Sequence, residues 1–440
     1  MKVPISTRFH QVLTFIPILL IALLLTACGD DNSSVKISAD TQAKIQAYLD
    51  QQVAAGEIPG AVLVIKGKEG KVYTFTSGVK NLETGDPMTA DTTFRTGSMG
   101  KTFTGMLALQ LVDKGLLSLD DTVESLLPGV VTEHYQPELV TVRHLLMHTS
   151  GIQNYFANDT FAESYVMDSI KTYQPTELVE TANTLPQICT PGQYWSYSNT
   201  NYVLLALIAE KLTGLPYKQL VEERLVNMVG LTNTFVPDIG DPYMKGAYAD
   251  GYINWFNYWG VLEDKLVEHS DIDPSFPWAA GCMIASAPDM ADWGISLANG
   301  TLLSPELHAQ QINAQPINLK PGSTFELEDG SMMGLGLVYE SQYDIMGHRG
   351  QIAGFDASLQ YNVAHDTAFV AIANRSLIAP KNINQILLYN VIHMVFDEYP
   401  EYAGDGITTQ ALDGITTRAL DSKSTSRPAA PGLNEYGQLL

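Results

Sequence analysis

The chain has few basic residues and few cysteines. Its 440 residues include 25 lysines and arginines against 48 aspartates and glutamates, which gives a formal net charge of −23. Nucleic-acid partners need a basic face that neutralises phosphates, so this charge balance argues against them. Three cysteines are present, Cys28, Cys189 and Cys282. In an oxidising compartment Cys189 and Cys282 either form a disulfide or remain two separate buried thiols, and both alternatives stay open.

Three catalytic or nucleotide-binding motifs are incomplete. A segment ending in GKT has Arg95 where a phosphate-binding loop needs glycine. The serine at position 98 follows Thr96 by two residues, where the nucleophile elbow of an α/β-hydrolase needs glycine. His144 and His148 have the spacing of a zinc site, but Leu145 stands where a zincin has glutamate. We therefore expect the two histidines to cap and pack, and we predict no metal site and no cofactor.

The N-terminus carries a long apolar run. Two basic residues precede the apolar residues 12–27, and the segment Leu-Thr-Ala-Cys then ends at Cys28. This order is typical of a signal peptide, and Leu-Thr-Ala-Cys resembles a bacterial lipobox, which implies cleavage before Cys28 and lipidation of its thiol. We predict a lipoprotein signal peptide over 1–27 and a polar tether over 28–39. The mature chain would then be lipid-anchored to a membrane on the periplasmic side of the bacterial cell envelope.

Predicted strands lie at both ends of the folded part, and predicted helices lie between them. The early segment GAVLVIKGKEGKVYTF and the late segments ASLQYNV and TAFVAIANR have the pattern of strands. Most of 116–231 has helical spacing. We predict an α+β fold over 40–400, with one antiparallel sheet built from both ends of the chain, flanked by helices, and a mostly helical insert over about 116–330. A site is expected in the cleft between sheet and insert.

The C-terminal residues 401–440 differ in composition from the rest. The segment DGITTQAL is followed at once by DGITTRAL, and a stretch rich in serine, alanine and proline comes next. Two copies are too few for a repeat architecture. We therefore predict a repeat-containing, disordered tail over 401–440.

Ser98 and Lys101 form a Ser-x-x-Lys pair at the start of a predicted buried helix. Residues three apart lie on one face of a helix, so the lysine amine is expected beside the serine hydroxyl. A hydroxyl is a weak nucleophile and needs a base, and a lysine in a partly dry pocket has a lowered pKa that suits this role. The helix N-terminus adds positive potential where an oxyanion would form.

Two further segments carry candidate catalytic or binding residues. In PGQYWSYSNTNY, Tyr197 and Asn199 precede a predicted helix, where a phenol can relay a proton and an amide can orient a carbonyl. In GHRGQIAGF, His348 and Gly350 lie in a predicted strand, where glycine permits close approach of the backbone.

The chain contains the segments SMGK, YSN and HRG in this order. Together they resemble the three motifs of the serine β-lactamase and penicillin-binding protein family. The likeness is closest to the class C β-lactamase-like branch, with its DD-carboxypeptidases, D-peptidases and esterases. The connecting segments LLSLDDTVESLLPG, TVRHLLMHTSGI, GLTNTF and ASAPDMADWG are similar too. The resemblance covers roughly residues 43–394 and implies a β-lactamase/transpeptidase-like fold, in agreement with the arrangement predicted above.

The resemblance implies three catalytic roles. Ser98 is similar to the acylated nucleophile, and Lys101 is similar to its base partner. Tyr197 would pass the proton to the leaving group and later help to activate water.

It also implies a set of substrate-binding positions. Asn199 would hold the substrate amide, His348 and Gly350 would line the strand along which the substrate lies, and Gln351 would supply a backbone N–H to the oxyanion hole together with Ser98. Two departures stand out, because β-lactamases of this branch usually carry lysine at the position of His348, and relatives often carry glycine at Cys282.

The implied function is that of an envelope serine hydrolase with an acyl-serine intermediate. Its substrates would be small molecules or peptides, such as D-Ala-D-Ala peptides, including peptidoglycan stem peptides, other D-amino-acid peptides, or esters. The alternatives are a β-lactamase and a penicillin-binding sensor that acylates without turnover.

Overall fold

Strands from both ends of the chain pair in the middle of one antiparallel sheet. The computed structural model describes residues 35–68, 70–254, 266–323, 330–376 and 383–398. Among these residues the strands are β1 Gly60–Gly67, β2 Val72–Gly78, β3 Thr93–Arg95, β4 Tyr252–Asn254, β5 Leu266–Glu268, β6 Ile284–Ser286, β7 Gln315–Pro316, β8 Ser331–Met333, β9 Val338–Glu340, β10 Ile345–Ile352, β11 Phe355–Asn362, β12 Thr367–Ala373 and β13 Arg375–Ser376. Eight of them form the large sheet in the order β2-β1-β12-β11-β10-β9-β8-β7.

Helices cover both faces of this sheet. The described α-helices are α1 Ala39–Ala54, α2 Lys101–Asp113, α3 Val123–Leu126, α4 Val142–Leu146, α5 Asp159–Met167, α6 Pro175–Asn183, α7 Asn199–Thr213, α8 Tyr217–Val221, α9 Asn227–Val229, α10 Ala287–Asn299, α11 Pro305–Ile312 and α12 Ile383–Glu398. A π-helical segment, Glu222–Val226, joins α8 to α9. None of the helices in the described ranges combines the length and the apolar character that crossing a membrane requires.

Alternation along β1 explains why the sheet is buried on both faces. Val62 and Val64 point into the larger core, which contains residues of α2, α7 and α10. The odd-numbered residues of β1, with Leu63 among them, point into a second core shared with α1 and α12. Successive side chains of a strand point to opposite faces, so a strand covered on both sides is apolar at nearly every position. The predicted α+β fold, with a sheet built from both ends and flanked by the terminal helices, is confirmed.

The region predicted as a mostly helical insert, about 116–330, also contains short strands. Helices α3 to α11 lie here, together with β4 to β7. Strands β4 and β5 pair with each other inside the stretch 238–278, which is rich in Tyr, Trp and Gly and has no clear period in its sequence. Each has three residues, which is too short for a period of two to be recognised in the sequence.

The predicted segments at the two ends of the chain fall largely outside the described residues. These are the signal peptide 1–27, Cys28 with most of the tether 28–39, and the tail 401–440. Where the tether enters the described part it is not free chain, because Val35 and Ile37 are buried in the second core. Ser38 then caps α1 by accepting a hydrogen bond from the backbone N–H of Thr41.

Candidate active site

Ser98 lies in a tight turn between a strand and a helix. Strand β3 pairs with β6, and the 3-10 turn Gly97–Gly100 then leads directly into α2. Gly97 has φ of +52°, and a Cβ there would lie 2.8 Å from the backbone nitrogen of Gln351. Glycine therefore permits both the conformation and the close approach of β10. The half-buried Ser98 is held where the start of α2 meets the end of β10.

Lys101 lies one turn after Ser98 and is completely buried. Its Nζ is 2.9 Å from Ser98 Oγ and donates a hydrogen bond to the carbonyl oxygen of Ala280 at 2.7 Å. Burial lowers the pKa of Lys101 well below its ordinary value, because a charged amine loses its hydration there. A neutral amine that donates to Ala280 keeps a lone pair, and this lone pair can accept the proton of the Ser98 hydroxyl.

Tyr197 approaches the same hydroxyl from the other side. Its Oη donates to Ser98 Oγ at 2.7 Å, and Lys101 Nζ lies 4.8 Å from the centroid of its ring. Burial raises the pKa of Tyr197, and the hydrogen bond to Ser98 offsets only part of that rise. Tyr197 therefore keeps its proton at neutral pH and can donate it, while Lys101 is the group able to accept one.

Asn199 begins α7, two residues after Tyr197. Its side-chain oxygen is buried and has no hydrogen-bond partner among the described residues. The sequence pattern predicts that Asn199 precedes this helix, and the structure extends the helix back to include Asn199. The amide therefore lies at the helix N-terminus, close to the proton-carrying groups.

Strand β10 forms the opposite wall of the site. A Cβ on Gly350 would lie 1.8 Å from the carbonyl oxygen of Thr96, so any side chain there is excluded. This confirms the close backbone approach expected at Gly350. The side chain of Gln351 is exposed, while its backbone nitrogen lies against the Ser98 turn. The backbone of Gln351 thus lies beside the turn that contains Ser98, where the oxyanion hole is predicted.

His348 lies on the site face of β10 and is almost fully buried, with 5% of its surface exposed. Its Nδ1 donates to the carbonyl oxygen of Arg349, and its Nε2 is buried without a partner among the described residues. Burial, aided by the nearby Lys101, lowers the pKa of His348 to about 3. The ring is therefore neutral at physiological pH, whereas a histidine with the ordinary pKa of about 6.5 would be partly charged.

The side chain of Arg349 points away from this pocket. Its guanidinium bonds to Glu340 of β9 and to the Tyr389 hydroxyl of α12, on the opposite face of the sheet. Successive side chains of a strand point to opposite faces, which is why Arg349 and His348 lie on different sides of the sheet.

The structure also places the two histidines and the two cysteines that the sequence singles out. His144 completes a capping box with Thr141 at the start of α4, and His148 is buried, so the expectation that the two histidines cap and pack is confirmed. Cys189 and Cys282 are separate thiols, so the disulfide alternative is wrong, and of the two only Cys282 is fully buried while Cys189 is half-buried. Burial raises the pKa of Cys282 to about 12, so this thiol stays protonated.

Two backbone contacts in the site are not predicted from the sequence. One is the Ala280 carbonyl that accepts from Lys101. The other is the close approach of Gly281, where an added Cβ would lie 3.2 Å from the Ser98 nitrogen. A main-chain carbonyl has no residue signature, but a glycine beside a predicted motif is a weak signal of close packing.

Comparison with known proteins points to one family. The family model described as Beta-lactamase matches residues 45–388. A penicillin-binding protein of Bacillus subtilis (strain 168) is 25% identical over 355 residues, which cover 77% of this chain and 72% of that protein. Penicillin-binding protein 4 of Amycolatopsis lactamdurans is 35% identical over 175 residues, or 40% of this chain and 44% of that protein. The chain spans about half the length of several curated relatives that it matches.

A solved structure is similar over most of its length. The D-stereospecific amidohydrolase from Streptomyces sp. superposes with a TM-score of 0.67 at 30% sequence identity. The match covers 76% of this chain and 94% of that one.

Proposed function

Since the chain belongs to the beta-lactamase family, whose members are serine hydrolases, we propose that it cleaves amide or ester bonds through an acyl intermediate on Ser98. The observation that carries this proposal is the position of the Ser98 hydroxyl, 2.9 Å from a buried amine and 2.7 Å from a protonated phenol. A nucleophile needs both an acceptor for its own proton and a donor for the leaving group.

The proposed reaction begins with proton transfer from Ser98 to Lys101. Ser98 Oγ attacks the carbonyl carbon of the substrate, and the oxygen that becomes negative is stabilised by the backbone N–H groups at Ser98 and Gln351. Tyr197 donates its proton to the leaving amine or alcohol as the carbon–heteroatom bond breaks. Lys101 then returns a proton to Tyr197, so both groups are ready for the attack of water on the ester that links Ser98 to the acyl group.

We propose D-amino-acid amides or peptides, including stem peptides of peptidoglycan, and short esters as substrates, ahead of β-lactams. The neutral state of His348 supports placing amides and esters that lack a free carboxylate ahead of β-lactams, because the carboxylate of a β-lactam finds no cation at this position. Relatives of this chain include penicillin-binding proteins and a D-stereospecific amidohydrolase, and these names support peptides and D-amino-acid amides as substrates.

The experiment that tests the proposed function is mass spectrometry after incubation with a fluorophosphonate and, separately, with a penicillin. A mass shift on the peptide that contains Ser98 is expected with the fluorophosphonate. Hydrolysis rates for a D-amino-acid amide, a short ester and a cephalosporin then rank the substrates. Absence of any label on Ser98, together with no turnover of the three substrates, would contradict the proposal. A penicillin adduct that persists for hours without any turnover would instead support the sensor alternative.

His348→Lys is expected to shift substrate preference towards carboxylates. A cation at this position would attract the carboxylate of a cephalosporin, by about 1 kcal/mol for a partly screened pair, or about fivefold in relative kcat/KM. The measurement is the ratio of kcat/KM for a cephalosporin to that for a D-amino-acid amide.

The matched control for this prediction is His348→Gln, which keeps the position polar and neutral. Burial lowers the pKa of an introduced lysine, so the advantage of His348→Lys over His348→Gln should grow as the pH falls. Efficient cephalosporin turnover by the wild type, with the amide and the ester uncleaved, would overturn the ranking.

We also propose that the mature protein is a lipoprotein of the bacterial envelope, held by lipid on Cys28. The support is the order of basic residues, apolar run and Leu-Thr-Ala-Cys segment. Cys28→Ser should release the protein from membranes, since the thiol is the atom that carries the lipid. Membrane fractions washed without detergent are compared for the two proteins. Equal retention of the Cys28→Ser variant would refute the anchor.

A further inference from the structure

His148 occupies a strained and deeply buried position directly behind the site. It follows helix α4 and the capping residue Met147, with φ of +55° and 1% of its surface exposed. Glycine is the residue that most often ends a helix in this left-handed conformation. A side chain with a Cβ is held there only where other contacts offset the strain.

Those contacts hold the backbone on both sides of Tyr197. The carbonyl oxygen of His148 accepts a hydrogen bond from the N–H of Ser196 at 2.8 Å. Its Nδ1 accepts from the N–H of Ser198 at 3.2 Å and lies 3.3 Å from Asn201 Nδ2. The ring also packs on Tyr197, with centroids 4.5 Å apart. One residue thus fixes the main chain before and after the catalytic phenol.

The side chain of Asn201 is itself oriented towards His148. Its Oδ1 accepts a hydrogen bond from the Ser150 hydroxyl at 2.7 Å, which leaves Nδ2 to face the imidazole. Ser150 is two residues after His148, so the network closes on the same short loop. The contacts therefore specify the tautomer of His148, with Nδ1 as acceptor and the proton on Nε2.

Packing alone does not explain why a histidine in this tautomer occupies the position. Nε2 is buried and has no hydrogen-bond partner among the described residues. A buried donor without a partner destabilises the fold, and a hydrocarbon ring would fill the space without that penalty. Burial, together with Lys101 and His348, keeps the pKa of His148 well below its ordinary value, so the accepting form is maintained.

We propose that His148 is a positioning residue for Tyr197, which uses its Nδ1 and its carbonyl oxygen to place the phenol at Ser98 Oγ. The inference rests on the proposed function, since it assigns His148 a part in the proton transfer of that reaction. A displacement of a catalytic group by about 1 Å lowers a rate by roughly a hundredfold. Loss of the acceptor leaves the Ser198 N–H unpaired and frees the loop to shift by such an amount.

The test compares His148→Phe with His148→Asn. Phenylalanine keeps the ring but has no acceptor, and we expect kcat to fall by roughly 10- to 100-fold while KM changes little. Asparagine tolerates the left-handed conformation and places its Oδ1 near the position of Nδ1, so it should recover most of the lost rate. Thermal unfolding of both variants is measured alongside. Equal losses for the two variants would overturn the proposal.

A second measurement separates positioning of Tyr197 from a general effect on the fold. In a Tyr197→Phe background there is no phenol hydroxyl to place, so adding His148→Phe should change the rate of Ser98 labelling very little. A loss as large as in the wild-type background would contradict the inference. If His148→Phe does not fold, Ser150→Ala is used in the same cycle, because it releases Asn201 from its orientation. Failure of the proposed function would be distinct, since wild-type Ser98 would then not be labelled at all.

Discussion

Ser98→Ala is expected to abolish hydrolysis and covalent labelling while leaving the fold intact. The loss should be on the order of 10⁴-fold or more in kcat, because no other group can form the acyl intermediate. The hydroxyl is half-buried and bonds to Lys101 and Tyr197 without supporting any helix end, so its removal changes no structural contact of the main chain. Activity is measured on the best substrate of the panel, and labelling is followed by mass spectrometry.

The control for this variant is its unfolding temperature, which should lie within a few degrees of the wild type. Substrate binding without turnover should also persist, since the walls of the site remain. Wild-type hydrolysis by Ser98→Ala on every active substrate would show that the nucleophile lies elsewhere.

Lys101→Met and Tyr197→Phe are each expected to lower the acylation rate by roughly a hundredfold or more, the scale of general acid–base catalysis. The two losses should not add, because both residues serve the same proton transfer. Single-turnover labelling of Ser98 measures acylation in the two single variants and in the double variant. Losses that multiply fully in the double variant would count against a shared path for the proton.

The pH dependence of acylation separates the two roles. Burial lowers the pKa of Lys101 well below its ordinary value, which favours the neutral amine, and this form is lost as the pH falls through the lowered pKa. Acylation by the wild type should therefore decline towards acid, and this decline should be absent in Lys101→Met. His348, with its pKa lowered to about 3, stays neutral across the physiological range. An unchanged acid limb in Lys101→Met would assign the base to another group.

The short distance between Ser98 and Lys101 could be predicted from the sequence, because it follows from helix geometry. Ser98 and Lys101 are three apart at the start of a helix, and that spacing alone brings an amine to a hydroxyl. The approach of Tyr197 could not be predicted in this way. It depends on the packing of α7 against α2 and on main-chain bonds to His148, and neither has a sequence period. The place of Tyr197 beside Ser98 was predicted instead from the resemblance of the three motifs to a known family.

The charge of the pocket was only partly predictable. Alternation along a strand is enough to place Arg349 on the face of the sheet opposite His348. The burial of His348 depends on which elements cover β10, and this is settled by long-range contacts. Its pKa is therefore lower than the sequence suggests, and the carbonyl of Ala280 that receives Lys101 has no sequence signature at all.

The pairing of β1 with β12 has a consequence for how the chain acquires its activity. Val64 pairs with Val370, so the centre of the sheet joins residues roughly 300 positions apart. Strand β10, which forms one wall of the site, is separated from β1 in the sheet by β12 and β11. A nascent chain cannot complete this sheet until almost the whole domain has been synthesised, and sheets with such distant pairings fold slowly. During that interval the edge of β1 is open to pairing with other chains, so premature termination before β12 should yield aggregates with no acyl-transfer activity.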